Sequence, residues 1–485
     1  MRDILRSAVK IGIATLASLL GWMVAGKIIS VQLGAVGIGL FGLLRQLFQN
    51  LNVVATFNGQ TTLVQGIASR EGPLQGRFAG SVFRIQSYLG LGLAGVLLLG
   101  APYLGPRLIP HPQSVALLRW LSLAVIASSA QTYVIGILNG YRKVDEIVSS
   151  QLVGPLVVVA AIIPIAWLVK IGHPAAYVMM FALPSAAVAL VAYWHSRNLG
   201  IFPRAFAQPT NKSDAFYFLK MSGVLLATGV ATTGATYFQS WLVAKRLGLE
   251  QAGQFWVAWT LSMTYVTLVL GSYGTYYMPT LAGLKDLEAR KSLMRDYLRL
   301  SLLAMPVLVS LVILFKPWIV RLMFSAELLP SLKVMRWMLL GDFFKGISWV
   351  LAFPMLAFNE MRWFFWTEVI LSLGMAGAIW ICLLRGGSIE GLGMIFLGLY
   401  VIYLLLMTVY ARVNHGFRWQ VWELGGLVTG FVLVGVMSWL TWTDNSVRTG
   451  IVGVWLGLVI IYTTLFLLQW PGSTLFRLFK PRHGQ

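Results

Sequence analysis

The sequence predicts an all-α integral membrane protein with about fourteen transmembrane helices. Of its 485 residues, 58% are hydrophobic and only 11% are charged, and the mean hydropathy is +0.77. Apolar runs of about 20 residues, the length that crosses a bilayer as a helix, recur along the whole chain. This composition excludes a soluble globular protein and a disordered one.

The predicted spans follow these apolar runs in order. Their even number places both termini on one side of the membrane. More than half of the 37 basic residues fall at helix ends on that same side, so both termini are predicted to be cytoplasmic. The spans lie near residues 8–31, 38–66, 78–101, 115–139, 147–170, 175–195, 217–245, 252–281, 296–323, 332–358, 363–384, 390–412, 419–442 and 449–470.

Short motifs recur in the two halves of the chain. Residues 33–41 (LGAVGIGLF) and 247–255 (LGLEQAGQF) share a leucine, two glycines and a phenylalanine at an offset of 214 residues. An offset of six spans preserves the direction of the helices, which predicts two parallel repeats. Two weaker matches follow at offsets of 217 and 220, namely Arg119-Trp120 with Arg336-Trp337, and Asn139 to Arg142 with Asn359 to Arg362.

The repeat predicts four regions of the chain. Residues 1–195 form an N-terminal lobe of helices 1–6, residues 196–216 a cytoplasmic linker, and residues 217–412 a C-terminal lobe of helices 7–12. Residues 413–485 add two extra helices, 13 and 14, and a cytoplasmic tail. Glycine pairs in these two helices predict close helix packing, namely Gly426/Gly430 and Gly453/Gly457.

A row of polar residues lies inside the second apolar span. Its members recur at i, i+4, i+7 and i+11 and therefore share one helix face. A cation at bilayer depth is costly unless it faces protein or water, so this face predicts a cavity that accepts something polar and anionic. The alternative is that the row only joins helices through hydrogen bonds. The row is Arg45, Gln49, Asn52 and Thr56, with Gln46 beside it and Lys27 near the end of the preceding span.

The second half has polar residues of its own. Gln239 shares a face of helix 7 with several threonines, and Asp342 and Lys345 lie one turn apart in helix 10. Two interpretations of the charged residues stay open, a compensated ion pair and a role in ion coupling or gating.

The remaining chemistry argues against an enzyme. The single cysteine, Cys382, allows no intramolecular disulfide, and the five histidines show no metal-ligand spacing. We find no nucleophile motif and no phosphate-binding loop, so no cofactor or metal is predicted. The net charge of +21 lies in segments between apolar spans, which favours anionic lipid and an anionic cargo over nucleic acid.

The start of the chain resembles a known family. The run GKIISVQLGAVGIGLFGLLRQL at 26–47, the FNG at 57–59 and LVQGIAS at 63–69 are similar to Wzx-type flippases. These form the polysaccharide branch of the multidrug/oligosaccharidyl-lipid/polysaccharide exporter (MOP) superfamily and include the flippases for O-antigen and enterobacterial common antigen. The specific match covers about residues 20–70, and the repeat extends it to about residue 412.

The resemblance implies two six-helix lobes around a cationic lumen, with Lys27, Arg45, Gln46 and Asn58 among its polar residues. It implies export of undecaprenyl-diphosphate-linked glycan units across the bacterial inner membrane, from the cytoplasmic to the periplasmic leaflet, by alternating access. It allows H⁺ or Na⁺ as a coupling ion, and a polysaccharide polymerase and chain-length proteins as partners. Many such flippases have twelve spans, whereas fourteen are typical of lipid II flippases.

Two other functions remain as alternatives. A drug or metabolite antiporter of the same superfamily would share the architecture, but export of small cations favours buried carboxylates over a first lobe that carries Lys27 and Arg45. A membrane-embedded glycan polymerase or ligase would need a large outer loop with acidic or histidine residues, and the predicted outer loops are short.

Overall fold

The computed structural model describes residues 2–201, 211–442 and 449–469. The middle of the predicted linker and the predicted C-terminal tail lie outside these residues. Within them the chain forms fourteen α-helices and two short 3₁₀ turns, Pro174–Val178 and Ala326–Ser331, and no strand. The helices of the first half are α1 Arg2–Ala55, α2 Gln60–Ala68, α3 Pro73–Leu108, α4 Ser114–Gly140, α5 Val144–Lys170, α6 Met179–Asn198 and α7 Lys212–Leu247.

The second half continues the pattern of long apolar helices joined by short turns. These helices are α8 Leu249–Gly283, α9 Leu287–Met323, α10 Leu332–Ala357, α11 Met361–Leu384, α12 Ile389–His415, α13 Val421–Leu440 and α14 Thr449–Gln469. In the described part of the chain, 12 helices are long and apolar enough to cross a membrane. Counting the two halves of α1 separately and adding α8 gives the fourteen predicted spans. The protein is therefore an all-α, multi-pass membrane protein.

Helix α1 contains the first two predicted spans. It runs for 54 residues and is interrupted at Gly34, where φ is 65° and ψ is −162°. A straight helix of that length would extend about 80 Å, more than twice the bilayer core, so α1 provides two crossings. A residue with a side chain is strained at these angles, which explains the glycine.

The second predicted span, 38–66, is wrong in its C-terminal part. The helix ends at Ala55, and the chain turns through Phe57 and Asn58, whose φ angles are 54° and 45°. Helix α2 then begins after Gly59. The polar segment FNGQTT at 57–62 interrupts the apolar run at this turn. Asn-Gly is a typical turn pair, so the sequence contained a signal that the predicted span did not use.

The repeat is visible in the backbone. Gly34 and Gly248, which the motif pairs, share a positive φ and an extended ψ. Positive φ recurs after equivalent helices, at Gly172 after α5 and Gly386 after α11, and at Gly200 after α6 and Gly416 after α12. The two halves of the chain thus end their helices in the same way.

One predicted match has the wrong register. The turn after α4 places Arg142 at a φ of 57°, and the turn after α10 places Asn359 at a φ of 58°. The backbone hydrogen bonds around both turns follow the same pattern, with the following residue donating five positions back. Arg142 therefore corresponds to Asn359, at an offset of 217 residues, rather than to Arg362.

The chain divides into two compact units. The first is Met1–Gly253 with Met323–Leu328, and the second is Gln254–Leu322 with Leu329–Gln485. This grouping assigns α7 to the first unit. The boundaries of the predicted lobes, 1–195 and 217–412, stay a prediction.

In the first unit, α1 and the start of α8 cross at two glycines. A methyl group on Gly39 would lie 2.0 Å from the Leu249 carbonyl oxygen, and one on Gly253 would lie 2.2 Å from the Ala35 carbonyl oxygen. These are the glycines that the repeat motif pairs. Backbone contact this close requires glycine on both sides.

The second unit is built around α10, which packs against α12. A methyl group on Gly393 would lie 2.6 Å from the Val334 carbonyl oxygen. Helix α13 packs closely as predicted, since methyl groups on Gly426 and Gly430 would lie 2.7 Å from Phe466 and Pro306, respectively. Gly453 and Gly457 on α14 differ, because a methyl group on either would meet no atom of the described residues within 4 Å.

Candidate functional site

The second half of α1 carries the polar face of the first unit. Arg45 is half-buried, and its guanidinium carbon lies 4.5 Å from the centroid of the Trp22 ring in the first half of the same helix. Within the described ranges, no carboxylate lies within 4.0 Å of Arg45. The ring holds the cation without neutralising it.

Two glutamines adjoin this arginine. Gln49, one turn further on, is exposed. Gln46 is only 6% exposed, and no described residue donates a hydrogen bond to its side-chain oxygen. A buried acceptor without a donor is unusual and destabilising. Arg45, Gln46 and Gln49 thus offer donors and acceptors that the unit itself does not use.

The asparagines of the predicted row are used within the unit. Asn52 accepts a hydrogen bond from Ser128 at 2.9 Å, and Asn58 donates to the Leu225 carbonyl at 2.7 Å. Thr56 is buried and donates to the Asn52 carbonyl. The bonds of Asn52 and Asn58 agree with the helix-joining alternative, and the lumen role of both residues stays a prediction.

Lys27 is hydrogen-bonded to a different segment of the first unit. Its ammonium donates to the Phe324 carbonyl at 2.8 Å, and Ser30, one turn later, accepts from the Ser325 amide at 2.9 Å. These bonds fasten α1 to the Met323–Leu328 segment of the same unit. Lys27 thus has a structural contact in addition to its charge.

Gln239 is the predicted site residue on α7. It is 2% exposed, and its side-chain oxygen accepts no hydrogen bond from the part of the chain that the structure describes. Helix α7 also bonds to α1, where Asn50 donates to Thr233 at 3.1 Å. Gln239 is therefore a second buried amide whose acceptor is unused inside the first unit.

The charged residues of α10 form a separate cluster in the second unit. Asp342 is fully buried, and its two oxygens accept hydrogen bonds from Ser262 at 2.7 Å and Tyr265 at 2.8 Å, both on α8. The Lys345 ammonium lies 2.9 Å from the Met263 sulfur. Among the described residues, Asp342 has no basic group within 4.0 Å. The two side chains thus make no direct contact, although their charges still attract each other. Both interpretations, the compensated pair and the coupling role, stay predictions.

The surroundings of Lys345 are aromatic. Its ammonium lies 5.9 Å from the centroid of the Phe396 ring and 5.5 Å from that of Tyr400, distances at which ring faces attract cations. On α11, Glu368 accepts from Tyr403 at 3.2 Å. Sequence reasoning missed these aromatic partners, because they lie on helices far along the chain.

A second missed feature joins α2, α3 and α7. Asp214 is 3% exposed. Its oxygens lie 3.2 Å from Arg70 Nη2 and 3.0 Å from Arg77 Nε. The guanidinium of Arg70 also lies 4.1 Å from the Phe78 ring centroid. Both arginines are among the basic residues that predict the cytoplasmic side, and their acidic partner lies 144 and 137 residues further along the chain.

Comparison with known proteins agrees with this architecture. A family model described as "Polysaccharide biosynthesis protein" matches residues 22–333, which include Arg45 and Gln239. The chain belongs to this family. The lipid III flippase of Escherichia coli (strain K12) is 23% identical over 403 residues, which cover 81% of this chain and 94% of that protein. The Shigella flexneri lipid III flippase matches to the same extent.

Solved structures share the fold at low identity. An inward-facing multidrug resistance MATE family transporter of the MOP superfamily has a TM-score of 0.69 and 14% identity, covering 84% of this chain and 98% of that one. The lipid II flippase MurJ in an inward closed conformation has a TM-score of 0.66 and 16% identity, covering 98% and 100%. These matches show that the chain shares the fold of these two proteins.

Proposed function

We propose that this family member is a flippase for lipid-linked oligosaccharides. It moves undecaprenyl-diphosphate-linked glycan units from the cytoplasmic to the periplasmic leaflet of the bacterial inner membrane by alternating access. The family description and the lipid III flippase relatives support this substrate class. Both termini are cytoplasmic in this proposal, which a reporter fused to the C-terminus checks. A periplasmic signal would contradict the orientation.

The observation that carries the proposal is the state of Arg45. A guanidinium at membrane depth is costly unless something compensates it, yet the described residues supply a ring and no carboxylate. An arginine can bind a phosphate through two parallel hydrogen bonds. The exposed amide of Gln49 suits the hydroxyl groups of a sugar. This face therefore suits a diphosphate joined to a glycan.

The free energy of moving a diphosphate across the bilayer favours a route along a cationic face. A lipid-linked diphosphate carries about two negative charges, and moving unpaired charges into hydrocarbon is prohibitive. A cationic face lowers that barrier while the polyprenyl chain stays in lipid. Because the cytoplasm is electrically negative, outward movement of two negative charges gains roughly 4–5 kcal/mol per 100 mV. The membrane potential can thus drive export in the proposed direction.

We also propose that the cluster around Asp342 and Lys345 acts in coupling or gating. A fully buried carboxylate held by two neutral hydroxyl donors keeps its charge uncompensated by direct contact. Ionisable groups inside membrane spans commonly serve ion pathways. H⁺ or Na⁺ is the proposed coupling ion, and polymerase and chain-length proteins are the proposed partners.

A multidrug transporter would share this fold, but its cationic substrates would not match the charge of Arg45. Cationic drugs would be repelled by Arg45, which lacks an acidic partner in the described chain, so the proposal predicts transport of lipid-linked diphosphates and not of organic cations. A vesicle assay that offers both substrates separates the two functions. Export of the organic cation alone would overturn the flippase proposal.

The direct test is substitution of Arg45. Loss of a charge-assisted contact is worth about 1.5–3 kcal/mol, so Arg45→Ala should lower flipping of the lipid-linked glycan at least tenfold in vesicles. Arg45→Lys should retain part of the activity, because it keeps the charge but not the two-pronged geometry. Lys27→Ala should have a smaller effect, since its ammonium is engaged by a backbone carbonyl.

Arg107 supplies a matched control. It is also stacked on a ring, with its guanidinium 3.5 Å from the centroid of Tyr103, but it is exposed at the end of α3. Arg107→Ala should leave flipping unchanged. Wild-type flipping by Arg45→Ala at equal amounts of inserted protein would refute the role of this face.

A further inference from the structure

A groove on the second unit lies where α12 ends and α13 begins. It encloses about 390 Å³, a volume within the usual range of small-ligand sites. Arg412, Arg418 and Trp419 lie at the helix ends, and the leucines lie further along both helices. Its apolar walls come from Leu404, Leu405, Leu424 and Leu427.

The basic end of the groove has no acid of its own. Arg412 and Arg418 are both exposed, and in the part of the chain that the structure describes neither lies within 4.0 Å of a carboxylate. The neighbouring Arg295 and Arg299 differ, since they lie 3.2 Å and 3.7 Å from Glu423. Two cations of the groove therefore remain for an external anion.

The apolar end of the groove faces outward. Leu405 is 62% exposed and Leu424 is 46% exposed. On a membrane-spanning helix, such side chains meet lipid tails. The groove thus joins a surface for hydrocarbon to a site for negative charge, which are the two ends of a phospholipid.

Hydrogen bonds hold the connecting turn in place. The Trp419 indole donates to Thr408 at 3.2 Å, and the Arg418 carbonyl accepts from Arg295 at 3.3 Å. Gly416, in the left-handed conformation, ends α12. The turn is therefore pre-organised, and a ligand would not have to order it.

We propose that this groove binds an anionic glycerophospholipid. The phosphate lies between Arg412 and Arg418, Trp419 packs beside the headgroup, and an acyl chain follows the leucines. Basic pockets between membrane helices are suited to acidic headgroups, and tryptophan favours the membrane interface. The site contains none of the residues of the proposed glycan path, so it can be tested independently of that path.

The test uses the full-length protein in vesicles that contain brominated lipid, which quenches nearby tryptophan. The Trp419 signal is the difference between the parent and Trp419→Phe. We expect brominated phosphatidylglycerol to quench this signal at a lower mole fraction than brominated phosphatidylcholine. Each arginine near the surface contributes about fivefold to the preference for anionic lipid. Arg412→Gln with Arg418→Gln should therefore remove most of the preference.

Two variants control for charge and fold. Arg412→Lys with Arg418→Lys keeps both charges and should keep most of the preference. Arg385→Gln removes an exposed arginine at the end of α11 and should change nothing. Equal quenching by the two lipids in the parent would overturn the proposal. Relief of quenching by polyprenyl diphosphate, but not by unlabelled phosphatidylglycerol, would also overturn it and assign the groove to the glycan carrier.

Discussion

The crossing of Gly39 and Gly253 gives a prediction whose size follows from the structure. A methyl group on Gly39 would lie 2.0 Å from the Leu249 carbonyl oxygen, whereas ordinary contacts of this kind begin at 3.4 Å. The obstacle is backbone, so no side-chain rotation relieves it and the two segments must separate by about 1.4 Å. Overpacking of this kind costs about 3 kcal/mol or more. The better helix propensity of alanine returns only about 1 kcal/mol.

We therefore expect Gly39→Ala to destabilise the protein by about 2 kcal/mol or more. The assay is the apparent melting temperature of the purified full-length protein in detergent, together with the yield of monodisperse protein. Gly253→Ala should act in the same way. Because both substitutions open one contact, the double variant should lose less than the sum of the two single losses.

Gly95 on α3 supplies the control, since a methyl group there would meet no atom within 4 Å. Gly95→Ala should leave the melting temperature unchanged or raise it slightly, because alanine favours a helix. If Gly39→Ala melts at the same temperature as Gly95→Ala, the two segments do not touch at these glycines. That result would refute the close crossing.

Two further predictions concern buried carboxylates. Asp214→Asn removes the charge that faces Arg70 and Arg77, and it should lower the free energy of unfolding by about 2 kcal/mol, seen as a lower melting temperature. An unchanged melting temperature would show that the three residues contribute no net stability. Asp342→Asn keeps an acceptor for Tyr265, so the protein should stay folded but lose at least tenfold in transport driven by an ion gradient in energised vesicles. Wild-type transport by this variant would remove the Asp342 charge from the coupling step.

The sequence was sufficient for the features that depend on length, hydropathy and local backbone. Apolar runs predicted the spans, because any crossing helix needs about 20 apolar residues. The repeat motif predicted equivalent glycines, and Gly34 and Gly248 share their unusual conformation. The motifs between residues 26 and 69 also led to the correct family.

The same reasoning could not follow contacts between distant segments. The predicted span 38–66 passed over the turn at Phe57 and Asn58, because apolar residues flank the short polar segment FNGQTT on both sides. The match of Arg142 with Arg362 was misplaced by three residues, because short motifs tolerate small shifts that hydrogen-bonded turns do not.

The sequence by itself determined which polar residues share a helix face, because helical periodicity is a local property. It could not determine what that face meets. Arg45 and Asn52 were predicted on one face, yet packing engages Asn52 with Ser128 and leaves Arg45 against a ring of its own helix. Likewise, one-turn spacing permits an Asp342–Lys345 pair, but hydroxyl donors of α8 lie closer to the carboxylate. Only the tertiary structure decides such competition, since it depends on side chains brought together from distant parts of the chain.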